Sequence, residues 1–234
     1  LRFILRIVQD MGLSCELCAP TGRAAKRMTE ATGVPARTIH RLLEYGYGGE
    51  GFLRNEENPV ETDLIIVDEM SMVDVPLMHA LLRAVSPSTR LLMVGDSDQL
   101  PPVGAGNVLR DIIESGAVPV MRLTDIFRQA ERGMIVENAH RINNGQLPEL
   151  FSGAEDFMFE EIPAAEDVAR RVVGLCTGRV NRLLTRELYR DVQVLVPMKK
   201  GPLGVHALNG RIQAAMNPPS RQKKERKHGE ITFR

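Results

Sequence analysis

Apolar side chains recur at Ile4, Ile7, Val8 and Met11 with Arg2, Arg6, Gln9 and Asp10 between them, a spacing that predicts a helix already running where the chain opens. A strand is expected over residues 14–19, a turn at Pro20-Thr21-Gly22, and a helix through Ala24, Ala25 and Met28. Over residues 37–44 the helical spacing returns, with Ile39, Leu42 and Leu43 on one face. Residues 45–60 break it. Gly46, Gly48, Gly49 and Gly51 interleave with Tyr45, Tyr47 and Phe52, the make-up of a hairpin-like excursion.

Two later runs are apolar without alternation. Leu64-Ile65-Ile66-Val67 ends in Asp68-Glu69, and Leu91-Leu92-Met93-Val94 ends in Gly95-Asp96, with a helix expected over residues 75–85 between them. Strands of this kind, separated by helices, imply an α/β fold with a parallel sheet covered on both faces. Ligands of such sheets bind beyond the carboxyl ends of the strands, which is where both acidic clusters fall. Helices at residues 107–114 and 134–143 close a first unit, residues 1–147. Residues 148–164 read as a linker, and residues 165–234 as a second unit. That second unit is expected to hold a helical region over 165–189, a strand over 192–196, a polar loop over 197–204, a helix over 205–216 and a solvated basic tail.

The chain has 234 residues, 43% of them hydrophobic and 26% charged, enough to bury a core and unlike a disordered or collagen-like chain. No run reaches the roughly 18 apolar residues of a membrane-spanning helix. The opening Leu1-Arg2-Phe3 lacks an initiator Met, so the numbering is expected to start inside a longer protein. Thirty basic residues balance thirty acidic ones, which removes the footprint of a strongly basic nucleic-acid binder and moves attention to local clusters. Three cysteines are too few for a disulfide framework and read as reduced thiols of a cytoplasmic protein. Cys15 and Cys18 lie on a strand where they would not face one metal, and no second pair completes a zinc site.

An acid pair after a buried strand suits Mg²⁺ binding by the first carboxylate and water activation by the second. Gly95-Asp96-Ser97-Asp98-Gln99-Leu100-Pro101-Pro102 brings an amide and further carboxylates to the next strand end. Taken with Ala19-Pro20-Thr21-Gly22-Arg23-Ala24-Ala25-Lys26, Thr38-Ile39-His40-Arg41-Leu42-Leu43 and Ile126-Phe127-Arg128-Gln129, these segments resemble, in order and spacing, motifs Ia, Ib, II, III and IV of superfamily 1 DNA helicases. The closest resemblance is to the RecD-like family. Val196-Pro197-Met198-Lys199-Lys200-Gly201 with Leu208-Asn209 is similar to that family's second motor lobe.

The resemblance implies a RecA-like P-loop NTPase lobe followed by the start of a second RecA-like lobe. It also implies an ATP-dependent DNA helicase moving 5′ to 3′ on single-stranded DNA, active at duplex or forked DNA in recombination or repair, with or without nuclease-complex partners. The implied cofactors are ATP and Mg²⁺. On this pattern Asp68 holds the metal, Glu69 is the catalytic base, Gln99 senses the γ-phosphate or the attacking water, and Arg128 reaches the γ-phosphate. Pro20, Thr21 and Gly22 would meet a DNA phosphate at a helix start. Arg23 and Lys26 either add charge there or are solvated helix residues. His40 is expected near DNA, and Lys199 and Lys200 are expected as phosphate contacts of the second lobe. The excursion sits where the family carries a small hairpin that parts the duplex, so Tyr45, Tyr47 and Phe52 either stack on bases or pin the hairpin.

A phosphate-cradling loop of the form G-x-x-x-x-G-K-[ST] is missing, since no Gly-Lys pair occurs anywhere in the chain. It is expected upstream of Leu1, so the chain alone should not hydrolyse ATP. Two rivals remain at this point: a non-motor DNA-binding or scaffold subunit that kept the fold, and a P-loop ATPase acting on protein or small molecules.

Overall fold

The structure, a computed structural model, describes residues 1–46, 51–123, 133–150, 156–178, 192–220, 222–229 and 231–233. It separates into two compact units, Leu1–Ala130 and Glu131–Arg234.

The first unit is a four-stranded, wholly parallel sheet in the order β2-β1-β3-β4. Its strands are β1 (Cys15–Ala19), β2 (Ala36–Thr38), β3 (Leu64–Val67) and β4 (Arg90–Met93). The connecting helices are α1 (Arg2–Asp10), α2 (Gly22–Thr32), α3 (Ile39–Leu42), α4 (Val75–Ala84) and α5 (Val108–Ser115). The unbroken apolar run of β3 is explained by burial on both sides. Ile65, together with Cys18 and Val67, packs with Ile39, Leu42, Leu81 and Leu109 from α3, α4 and α5, whereas Ile66, Leu64 and Leu17 pack with Leu5, Val8 and Met28 from α1 and α2. Each such fully buried aliphatic side chain contributes about 1.5–3 kcal/mol to folding. On α1 the buried positions are Leu5 and Val8, while Ile7 and Met11 of the expected stripe are exposed.

The two faces also settle the cysteines. Cys18 belongs to one core and Cys15 packs against the other, so the strand points them to opposite sides. Burial pushes the Cys18 thiol up to about 12 and raises that of Cys15, which keeps both as thiols.

Local chemistry sets the boundaries. Thr21 caps α2 by accepting from the Ala24 amide at 3.2 Å, and Gly33 ends it at φ 78°. The helix expected from residue 37 is a strand and one turn instead. Arg37 pairs beside Cys18 in β2, the Thr29 hydroxyl accepts from the Ala36 amide at 2.9 Å, and Thr38 caps α3. At the opposite edge of the sheet Ser14 and Asp63 clasp β1 to β3. The Ser14 amide and hydroxyl donate to Asp63 Oδ2 at 2.8 and 2.7 Å, and the Asp63 amide donates to Ser14 Oγ at 2.9 Å.

The second unit holds α6 (Met134–Asn143), α7 (Ala165–Thr177), α8 (Val205–Met216) and an antiparallel pair, β5 (Arg226–His228) with β6 (Ile231–Phe233). The expected linker is tied into this unit. Asp156 accepts from the amides of Met134 and Ile135 at the start of α6, which holds its carboxyl below the usual range. Buried Asn138 exchanges hydrogen bonds of 2.9 and 2.7 Å with the backbone of Glu149. Arg211 of α8 grips Glu166 of α7 with two hydrogen bonds of 2.7 and 2.9 Å. Two expectations fail here. Residues 192–196 are not a strand, and Leu195 is exposed. The basic tail, read as a flexible solvated segment, stays exposed over residues 222–229 but pairs into the β5–β6 hairpin. Residues 179–189 of the expected helical region lie outside the described residues.

Candidate functional site

Because all four strands are parallel, their carboxyl ends share one edge. The register aligns Cys18, Val67 and Met93 across β1, β3 and β4. Each chain segment leaving that edge is one singled out from the sequence: Pro20-Thr21-Gly22 after β1, His40 after β2, Asp68-Glu69 after β3, and Gly95 to Gln99 after β4.

Asp68 and Glu69 are half-buried. The Asp68 amide donates to Cys18 O at 3.0 Å, extending the β1–β3 ladder one residue, and Asp68 Oδ1 accepts from the Glu69 amide at 2.9 Å. That leaves Oδ2 for a ligand. Glu69 sits at φ 56° and ψ 42°, left-handed space that a side chain other than glycine rarely occupies. Such a conformation at a strand end is a local cost held in place by its surroundings. A 3-10 turn, Met70–Met72, follows at once. Its Ser71 hydroxyl is buried with no hydrogen-bond partner among the described residues.

Among the described residues no three His, Cys, Asp or Glu side chains converge to hold a metal. The donor set at the edge nevertheless fits Mg²⁺, which typically takes one or two carboxylates plus water and phosphate oxygens, not a full protein cage.

Gln99 is exposed in the loop after β4, with its amide donating to Asp96 O at 3.3 Å. Pro20 and Thr21 are partly exposed and Gly22 is open. The Thr21 oxygen is engaged as the α2 cap, so its hydroxyl proton is the donor left for a ligand. Arg23 is exposed and Lys26 pairs with Glu30 at 3.9 Å. His40 is exposed and joins a ring cluster, with centroids 5.8 Å from Tyr45 and 5.6 Å from Phe52, while Tyr45 and Phe52 are 5.0 Å apart. Tyr45 and Phe52 form an antiparallel bridge, and Gly46 donates to Gly51 O at 2.9 Å, so the excursion closes as a hairpin at its base. Arg54 fastens it to the end of α3 through Glu44.

Lys199 and Lys200 are exposed in the second unit, in a turn that folds back on the start of α8. A Cβ at Gly204 would stand 2.6 Å from the carbonyl oxygens of both lysines, so only glycine lets the turn close this tightly. Arg128 and Tyr47 lie outside the described residues. The strand-end acids announced themselves by following apolar runs. Asp74, which caps α4 through the Leu77 amide at 2.9 Å, did not enter that reading, although Asp-Val-Pro at a helix start is a capping signal.

The family described as AAA domain matches residues 1–105. The chain is 45% identical over 214 residues to the ATP-dependent RecD2 DNA helicase of Deinococcus radiodurans, covering 91% of this chain and 28% of that protein. It is 32% identical over 226 residues to the RecBCD enzyme subunit RecD of Mycolicibacterium smegmatis, covering 84% of this chain and 40% of that one. A solved Pif1 helicase structure aligns over 62% of this chain and 41% of its own, at 27% identity and a TM-score of 0.42. The chain thus spans well under half the length of these relatives. With four of the sequence-marked segments leaving one sheet edge and similarity running through nine-tenths of its length, it is a homologue of the RecD-like DNA helicases.

Proposed function

We propose that this chain supplies part of the motor of an ATP-dependent DNA helicase that moves 5′ to 3′ on single-stranded DNA and opens duplex or forked DNA during recombination or repair. The observation that carries the reading is the shared edge: an acid pair after β3, a Gln-bearing loop after the adjacent β4, and a helix start after β1. The first unit is the nucleotide-handling lobe, and the second begins a further motor lobe. The RecD2 and RecD relatives support the class of activity, and the direction follows the family.

Asp68 offers its free carboxylate oxygen to Mg²⁺, which when bound neutralises charge on the β- and γ-phosphate oxygens of ATP. Glu69 takes the proton of the attacking water, Gln99 orients that water, and Arg128 stabilises charge on the transferring phosphoryl group. The amides opening α2, the Thr21 hydroxyl, Arg23 and His40 grip one stretch of single-stranded DNA, and Lys199 and Lys200 grip another. Alternation of the two grips as ATP binds and leaves converts hydrolysis into travel. Three cysteines free of disulfides agree with a cytoplasmic protein. Among the described residues no helix is long and apolar enough to cross a membrane.

The test uses the protein encoded by the complete reading frame. ATPase activity should rise on adding single-stranded DNA, and Glu69→Gln should keep ATP binding while abolishing turnover. Wild-type turnover in that variant would remove Glu69 as the base. A protein that binds single-stranded DNA without any DNA-stimulated hydrolysis would be a scaffold subunit.

A further inference from the structure

The turn after β3 and the loop after β4 meet again well beyond the strand ends. The Val75 amide donates to the Ala105 carbonyl at 3.0 Å. Immediately before it, Asp74 spends Oδ1 on capping α4, and its other oxygen lies against Gly104. A Cβ at Gly104 would overlap that oxygen and stand 2.8 Å from Asp74 Cγ and 2.9 Å from Asp74 Cβ. The backbone of Gly104 is outside left-handed space, so glycine is needed there for room and not for conformation. Gly106, at φ 91°, is needed for both, since a Cβ there would overlap Val75 Cγ2.

Between its anchors the loop has little else to hold it. Residues 96–101 are exposed, and they are tied by local hydrogen bonds, from the Asp98 amide to Asp96 Oδ1 at 3.0 Å, from the Gln99 amide to Asp96 O at 3.3 Å and from the Ser97 hydroxyl to Asp98 Oδ1 at 3.5 Å. One anchor is the Met70 amide on Val94 O at 3.0 Å, and the other is the Asp74–Val75 contact with residues 104–106. Gln99 therefore hangs on a span fixed at both ends to the same short segment that carries Glu69.

We propose that Asp74 and Gly104 form a clasp that positions the Gln99 loop against Glu69, making both of them positioning residues for ATP turnover. The catalytic half of this rests on the helicase reading; the clasp itself does not. Freeing one end of the span misplaces Gln99 while leaving the ATP-binding groups untouched. Misplacement of a reacting group by about 1 Å costs on the order of 100-fold in rate.

The experiment is a suppressor pair, read by amide exchange and by kinetics in the complete protein. Gly104→Ala should strip exchange protection from the Val75 amide. It should also lower the DNA-saturated turnover number by roughly tenfold to 100-fold, with KM for ATP held within about twofold. Asp74→Gly removes every atom that crowds the new methyl and keeps a residue tolerated at an N-cap. The double variant should therefore regain Val75 protection and most of the turnover, even if Gly104→Ala alone folds poorly. A Gly104→Ala protein with wild-type protection, or a folded double variant no better than the single, overturns the clasp. If wild-type protein shows no DNA-stimulated turnover while the exchange pattern behaves as stated, the clasp stands and the helicase reading falls.

Discussion

The carbonyl of Val94 accepts the Met70 amide at 3.0 Å, while the Val94 amide donates to the Val67 carbonyl at 2.8 Å. One residue of the β4 segment thus brackets Asp68 and Glu69 from both sides, extending the ladder past the last paired strand residue. The next position, Gly95, has no space to spare. A Cβ there would stand 2.8 Å from Leu109 Cδ2 and 3.1 Å from both the Cβ and the amide nitrogen of Met70. Leu109 can turn aside, but the Met70 backbone cannot move without taking Glu69 with it. Gly95→Ala should cost about 1–3 kcal/mol of stability, typical of overpacking, measured by denaturant unfolding. A cost near zero would mean that the strand ends are looser than this packing implies.

Glu69 stores strain of its own. A left-handed residue other than glycine costs roughly 1–2 kcal/mol, and glycine relieves it. Glu69→Gly is expected to raise stability by about 1 kcal/mol, offset in part by glycine's greater freedom in the unfolded chain, and to abolish ATP turnover. The comparison variant Glu69→Ala keeps the strained backbone and should show no such gain. Thermal unfolding of the three proteins separates the two effects.

The Ser14–Asp63 clasp makes stability depend on acid. The Ser14 hydroxyl, and after it the Ser14 amide, holds the Asp63 carboxyl below its usual range. The folded state therefore prefers the ionised form. Its contribution is fully present above the unfolded value of about 3.9 and is lost as pH falls through the lower folded value. Ser14→Ala should lower the melting temperature near neutral pH, and the gap from wild type should narrow below about pH 4. A residual gap is expected at low pH, because the Asp63 amide also loses its acceptor, the Ser14 hydroxyl oxygen. A gap that widens on acidification would contradict the assignment.

Most of the sheet edge was legible because its signals are local: an apolar run of four with no alternation, as at 64–67, can only be covered on both faces. The cysteine reading survived for the same reason, since i and i+3 on a strand face apart. What stayed hidden depends on partners far along the chain. β2 is three residues long and exists because β1 and the Thr29 hydroxyl receive it, so Arg37 looked helical beside Ile39 and Leu42. The run at 192–196, broken by Gln193, is no strand, and the basic tail pairs into a hairpin while Arg226, Lys227 and His228 stay exposed. The left-handed Glu69 and the fit of Gly104 on Asp74 carry no compositional mark at all.

His40 has two possible duties, and one substitution tells them apart. Its ring lies 5.8 and 5.6 Å from those of Tyr45 and Phe52, so it braces the base of the hairpin, while its exposure leaves imidazole N–H groups open to DNA. Ring pairs of this kind are worth about 0.5–1.5 kcal/mol each. His40→Ala removes two of the three, and should speed amide exchange at Gly46, whose N–H donates to Gly51, and at Leu53, whose N–H donates to Glu44. His40→Phe keeps a ring and should hold exchange near wild type, but it lacks a donor for phosphate. In the complete protein its affinity for single-stranded DNA should therefore fall several-fold. Unchanged affinity in His40→Phe, with protection intact, would leave His40 as a brace and transfer the DNA contact after β2 to other residues.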